Sequence, residues 1–449
     1  MNKPQLQLPI NEPEPRREAW RPIHYLGSKL RLVETLRLAL DQVDPAKGRC
    51  IDLFAGSGTL SAALGSSRDI TAVDIQEYSR VLCAAVLRPV PLSDAEVGEF
   101  KRSVEKLRAA SLRLAEPLIE HEEYCIAAAR SGDPEPICEL IENASMISFL
   151  AAQPPTGKRL TNAHRRSNER LKSASAPSRV LSYYGGLYFS YRQAVELDAL
   201  LTVAHNRRGA CRDFFLAAII STASDVVNTV GKHFAQPIRP RSADGSPKKH
   251  LIAKIIRDRE IDLTARFNEW LTRYRSLPAN GRRHEAIRAD YSDALARMRS
   301  VGVVYADPPY TRDHYSRFYH VLETMCRWDD PGVSTTRIRS RGETYSRGMY
   351  RADRHQSPFC IRSQAPAAFE KLFAGVQALR APLVLSYSPF ASGDAHPRVV
   401  GIDQVTALAR RYFKKVEVTS AGRFSHMKLN ATRLHLEASE EAELIFLCS

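Results

Sequence analysis

Two short apolar runs near the start of the chain constrain it more than any other feature. Residues 49–54 (RCIDLF) suffice for one buried strand and break at once into Ala55-Gly56-Ser57-Gly58-Thr59. Glycine at such a point lets the backbone turn tightly and approach a ligand without a Cβ in the way. Residues 70–73 form a second run, ending at Asp74, and helix-like spacing follows over residues 78–87. Strand, tight turn, helix, strand is the opening of a βαβ unit and predicts a parallel sheet. Before it, residues 30–40 carry apolar side chains at helical spacing.

Strand character returns only late. Residues 301–305 (VGVVY) lead into Ala306-Asp307-Pro308-Pro309-Tyr310, and residues 382–387, 415–418 and 443–447 complete the set. Strands at both ends with helix between them predict an α/β fold. Its core is one open, mostly parallel, Rossmann-like sheet interrupted by a large helical insertion. Residues 91–155 read as helices broken at Asp133-Pro134, and residues 183–275 as mainly helical. The basic, poorly apolar stretches 156–179 and 239–249 read as loops. The aromatic run 183–191 (YYGGLYFSY) is expected to pack in the core rather than to stack on bases.

Lys and Arg number 65 against 50 Asp and Glu, a net charge of +15. That surplus points to a polyanionic partner, nucleic acid before an anionic membrane surface. The eight cysteines form no CxxC pair, so neither a zinc ribbon nor a thioredoxin-type site is expected. No metal site is expected either. The first residues lack the apolar core of a secretion signal, and no apolar run approaches membrane-spanning length. A cytoplasmic protein with reduced thiols is the expectation.

Two segments carry chemistry. The glycine turn, with Asp74 at the next strand end, suits an adenosine-type ligand whose ribose hydroxyls the acid binds. Asp307-Pro308-Pro309-Tyr310 follows a strand, so it sits where open α/β sheets hold their ligands. An exocyclic NH2 offers two donors, which an Asp oxygen and a proline carbonyl can accept. Tyr310 adds an aromatic face for a base. A proline-rich turn closing a strand, with Asp307 as a cap, is the plainer reading of the same four residues.

These motifs, in this order, resemble the S-adenosylmethionine-dependent amino-methyltransferases of DNA, in particular the alpha group that contains the DNA adenine methylases. Tyr25-Leu26-Gly27-Ser28-Lys29 is similar to their N-terminal motif, Phe54-Ala55-Gly56-Ser57-Gly58 to their cofactor loop, and Asp307 to Tyr310 to their catalytic motif. The resemblance implies S-adenosylmethionine as cofactor. Tyr25, Gly27 and Lys29 would lie at its methionine end, with Lys29 pairing its carboxylate. Asp52, Phe54, Gly56 and Gly58 would line its pocket, Asp74 would bind ribose and Asp290 the adenine amine. Asp307 and the Pro308 carbonyl would orient the target amine, with Pro309 shaping the turn and Tyr310 stacking on a flipped base. The implied activity is methylation of N6 of adenine in double-stranded DNA by a monomer, in a restriction-modification or defence setting with a cognate partner protein. N4 of cytosine, RNA, a protein glutamine, or a DNA-binding protein without catalysis are the competing readings. No cysteine adjoins Pro308 in sequence, which argues against carbon-5 methylation.

The resemblance also implies a division of the chain. Residues 20–95 and 285–449 would be the two parts of a catalytic domain and 96–284 the helical insertion for target recognition, while residues 1–19, dominated by Pro and charge, read as a flexible arm. Arg337, Arg339, Arg341, Arg347, Arg351, Arg354 and Arg362, interleaved with Tyr345 and Tyr350, are candidates for holding DNA or a solvated basic loop.

Overall fold

The structure is a computed structural model that describes residues 20–25, 29–152, 157–174, 178–311, 315–338, 342–388, 398–420 and 443–449. The arm expected at residues 1–19, and Gly27, Arg339 and Arg341, lie outside the described residues. Nine strands are described: β1 Cys50–Leu53, β2 Ile70–Asp74, β3 Glu285–Arg288, β4 Val303–Ala306, β5 Thr335–Ile338, β6 Gly342–Tyr345, β7 Leu383–Tyr387, β8 Val416–Ser420 and β9 Leu444–Cys448. Seven of them form a sheet in the order β3-β2-β1-β4-β7-β9-β8, and β5 and β6 form a separate hairpin.

The sheet is mostly parallel. β3, β2, β1, β4 and β7 run together, while β9 is antiparallel to both β7 and β8. Its inner strands β2, β1, β4, β7 and β9 are short and mostly apolar because both faces are covered. Alternate residues of the central strands enter opposite cores. Ile51, Leu53, Val304 and Ala306 meet Leu295, Phe369 and Phe373 on one face. Cys50, Val303 and Tyr305 meet Leu36, Leu40, Leu60 and Leu64 on the other. Leu36 and Leu40 belong to the helix Val33–Val43, which continues a 3-10 turn at Lys29–Leu32 where helical spacing predicts it.

Between β2 and β3 the described chain is helical, from Glu77–Leu87 and the long helix Asp94–Arg130 to Leu263–Arg275. The long helix starts at a capping box, in which Ser93 and Glu96 satisfy each other's backbone N–H. Its core is aromatic and aliphatic, with Phe100 stacked on Phe215 at 3.8 Å. The run 183–191 is core, as expected. Tyr184, Tyr188 and Tyr191 are fully buried, and their hydroxyls reach Thr324, the Phe234 carbonyl and the Ala144 carbonyl. Tyr188 also donates to the Gly348 carbonyl, so the insertion is bonded to the chain that follows β4.

One element differs from expectation. The loop predicted over residues 156–179 contains a helix, Lys158–Ala174. Its buried side chains, Leu160, Ala163, His164, Ser167 and Leu171, keep helical spacing, but two of the five are polar and disguise the stripe. Residues 239–248 hold neither helix nor strand, apart from a bridge between Arg241 and Pro247. No described helix is long and apolar enough to cross a membrane.

Candidate active site

The strand order reverses between β1 and β4, and open α/β sheets bind ligands beyond the carboxyl ends of strands at such a point. Leu53 and Ala306 are register partners there, so the glycine turn after β1 and Asp307 after β4 leave the sheet side by side. A cleft of about 1290 Å3, including its space open to solvent, lies over them.

The turn is held in strained conformations. Phe54 has φ +62°, costly for a residue with a Cβ. Gly56 has φ +56°, and a Cβ there would lie 2.7 Å from the Tyr25 hydroxyl oxygen. Gly58, at φ +72°, precedes the helix Thr59–Leu64 and leaves only 3.1 Å to the Cys83 sulfur. Asp74 braces the same turn: its Oδ2 accepts from the Gly56 N–H at 3.0 Å and its Oδ1 from the Gln76 N–H at 2.9 Å. Burial holds its pKa above the usual carboxylate range despite these bonds. Asp290 lies just past β3, on the adjacent strand, and caps the helix Tyr291–Arg297 by accepting from the Ser292 N–H at 2.9 Å. Asp52, within β1, accepts from the Ser61 hydroxyl at 2.5 Å, and burial pushes it up to about 7. Asp52, Asp74 and Asp290 all line the cleft, with Phe54 and Tyr291 beside them.

The other wall is a buried charge cluster. The Lys29 ammonium lies 3.0 Å from Asp307 Oδ1 and 3.0 Å from Glu443 Oε1. Tyr310 donates its hydroxyl to the same Glu443 oxygen at 3.3 Å and lies edge-on to Tyr387. Lys29 is 8% exposed and Glu443 1%, so these charges have little water to fall back on. Burial opposes the charge on Lys29, but Asp307 and Glu443 outweigh it and raise its pKa well above the ordinary value. Burial raises both carboxyls, and Lys29 opposes that rise. Tyr25 stacks on Tyr319 with centroids 4.9 Å apart, between this cluster and the glycine turn.

The structure thus gathers Tyr25, Lys29, Asp52, Phe54, Gly56, Asp74, Asp290 and all of Asp307 to Tyr310 around one cleft, with Gly58 behind its turn. It changes one expected contact. Lys29, expected to pair a ligand carboxylate, is committed to two carboxylates of the protein. Glu443 was not among the expected residues; it directly precedes β9 and comes to Tyr310 only through the fold. In space a cysteine does adjoin the motif, since the buried Cys360 thiol donates to the Pro309 carbonyl at 3.9 Å.

Residues 25–177 and 253–357 match the model of the D12 class N6 adenine-specific DNA methyltransferases, together more than half of the chain. The chain belongs to this family. Both the glycine turn and Asp307 to Tyr310 fall within the matched residues. A stretch of 121 residues is also 31% identical to the modification methylase LlaI of Lactococcus lactis subsp. lactis. It covers 27% of this chain and only 16% of that relative's length.

The arginine-rich segment after the motif divides into different environments in this family member. Arg337, on β5, and Arg347 are exposed, and Arg347 donates to the Ile238 carbonyl at 2.7 Å. Arg354 is half-buried and bonds the Arg351 carbonyl at 3.1 Å. Arg351 itself is 2% exposed and forks onto Asp329 at 2.7 and 2.8 Å, with Asp353 at 3.0 Å. Its expected place among the DNA contacts is therefore withdrawn: it is a buried structural cation. Tyr345 and Tyr350 are half-buried, and the Tyr350 hydroxyl donates to the Ala235 carbonyl.

Proposed function

We propose that this protein transfers a methyl group from S-adenosylmethionine to N6 of an adenine flipped out of double-stranded DNA. The observation that carries this reading is the position of Asp307-Pro308-Pro309-Tyr310 beside the Phe54–Gly58 turn, across the switch point of the sheet, over a single cleft. The net charge of +15 suits a DNA substrate.

The donor set of the cleft fits the cofactor. Asp74 and Asp290 stand at the ends of adjacent strands, where they reach ribose hydroxyls and an adenine amine. Phe54 and Tyr291 offer rings for the adenine, and Gly56 lets its backbone approach because it has no Cβ. Asp52, deep in the cleft, suits the ammonium of the methionine end. When bound, S-adenosylmethionine supplies an activated methyl group.

The remaining work belongs to the chain. An adenine inside a duplex is out of reach, so the base is extruded and received by Tyr310, whose ring forms part of the cleft wall. Its amine has a lone pair delocalised into the ring. Asp307 and the Pro308 carbonyl accept its two hydrogens, which concentrates electron density on nitrogen and aligns the lone pair for in-line attack. The bound cofactor would supply the methyl with cleavage of its sulfonium carbon–sulfur bond, leaving S-adenosylhomocysteine, and Asp307 would accept the proton that the methylated amine loses. Lys29 holds Asp307 in place and favours its ionised, accepting form. No nucleophile of the protein is needed.

The setting proposed is modification of DNA alongside a cognate restriction or defence activity. Single-molecule sequencing of genomic DNA from cells expressing the protein tests both base and setting. N6-methyladenine at one sequence motif supports the reading. Methylation of cytosine N4, or no new modification in DNA, would replace it.

A further inference from the structure

Tyr350 stands at the centre of an unusual concentration of positive charge. The Arg354 guanidinium lies 4.9 Å and the Arg317 guanidinium 5.7 Å from its ring centroid. The ring is fixed in place. Its hydroxyl donates to the Ala235 carbonyl, the Tyr350 backbone N–H donates to the Ser346 hydroxyl at 3.0 Å, and the ring packs edge-to-face with His320. His320 is neutral and adds no charge of its own, since burial pushes its pKa down to about 3. Neither Arg317 nor Arg354 has a carboxylate partner among the described residues. The nearby acids Asp329 and Asp353 are held by Arg327 and Arg351.

Two guanidinium groups that repel each other over one ring are costly unless an anion joins them. Burial, and after it the neighbouring Arg317, lowers the Arg354 pKa from its ordinary value. A phosphodiester supplies what is missing: one negative charge and acceptor oxygens that match the planar guanidinium fork. The place is also right. Ser316 and His355 line the cleft, and Arg317 and Arg354 are their immediate neighbours in sequence, so the chain carries both arginines alongside it.

We propose that Arg317 and Arg354, mounted on Tyr350, form a clamp for a single backbone phosphate of the strand whose base enters the cleft. The inference rests on the DNA reading above and adds a defined contact to it. A clamp alongside the cleft fixes the phosphate near the extruded nucleotide and helps hold that nucleotide out of the duplex.

Fluorescence anisotropy with a short fluorescein-labelled duplex, over roughly 50 to 200 mM salt, reads the number of phosphates neutralised. Arg317→Ala, Arg354→Gln and the double variant are compared with wild type, with thermal melting to check folding. The double variant Arg317→Lys/Arg354→Lys retains the charge if the truncations melt early. Each single truncation is expected to weaken binding several-fold. The double truncation is expected to lower the slope of log K against log salt by about 0.9, the value for one phosphate. A fall of about twice that would mean a separate phosphate for each arginine and would overturn the shared clamp. An unchanged slope, with wild type binding DNA normally, would overturn it as well while leaving the DNA reading intact. Failure of the wild type to bind the duplex at all would remove both.

Discussion

Replacing Lys29 with methionine keeps the length of the side chain and removes the cation that, among the described residues, pairs with Asp307 and Glu443. Two carboxylates then share a buried site with no counter-charge. Removing one partner of a buried ion pair typically costs about 3–5 kcal/mol. Against a total stability on the order of 5–15 kcal/mol, that is a large fraction. The protein can escape part of the cost by protonating a carboxyl, so the penalty depends on pH. Burial already raises both carboxyls, and without Lys29 only the Tyr310 hydroxyl bond to Glu443 opposes the rise. A carboxyl whose folded pKa exceeds its unfolded value binds more protons in the folded state. Its folded-state stability is therefore fully present below the ordinary carboxylate range of about 4 and is lost as pH climbs through the raised value. Lys29→Met should thus be a few kcal/mol less stable than wild type at about pH 8 and close to it at about pH 5, by urea unfolding. Adding Glu443→Gln removes one of the two charges and should recover part of the loss at the higher pH. An equal penalty at both pH values, or none, would mean that the three groups do not share a buried charge cluster.

Other substitutions probe the surrounding parts. Gly56→Ala places a Cβ 2.7 Å from the Tyr25 hydroxyl oxygen at φ +56°, so binding of S-adenosylmethionine, followed by calorimetry, should weaken at least tenfold; unaltered affinity would take the turn out of the cofactor site. Arg351→Ala should lower stability by about 2 kcal/mol or more, under the full cost of a buried pair because its acids are partly exposed, and leave the salt slope of DNA binding as it is; a reduced slope would restore it as a phosphate contact. Asp52, raised to about 7 by burial, should cost stability as pH rises from about 4 to about 7, and Asp52→Asn should flatten that part of the pH–stability curve. A variant curve parallel to wild type would mean that Asp52 is not desolvated.

How much of this was legible in the sequence follows from what each residue's environment requires. β1 and β4 could be read because buried central strands must be apolar and because the turns after them use glycine and proline for steric reasons. β3 could not: Glu285–Arg288 is an edge strand with both ends exposed, and four residues with a charge at each end make no apolar run. The helix Lys158–Ala174 reads as a loop in the sequence because its polar composition masks the helical spacing of five buried positions. For the site, position along the sheet was enough to bring Asp74 and Asp307 to one cleft, while Asp290, after the unread β3, rested on the family resemblance alone. Partners were not. Lys29 fits a reading in which it pairs a ligand until Glu443, which only tertiary structure brings near, is seen beside it. Arg351 looked like surface charge because a sequence does not say which of several arginines the nearby Asp329 and Asp353 will bury. Arg317 stands apart from the arginine-rich run in sequence, and only the fold sets it against Tyr350.

The most direct test of the central claim is methyl transfer by the purified protein. Wild type and Asp307→Ala are incubated with duplex DNA and methyl-labelled S-adenosylmethionine, and the DNA is digested to nucleosides. The predicted result is label in N6-methyladenine for wild type, with Asp307→Ala losing most transfer while binding DNA nearly as well. Full turnover by Asp307→Ala, or label in any other nucleoside, would contradict the account.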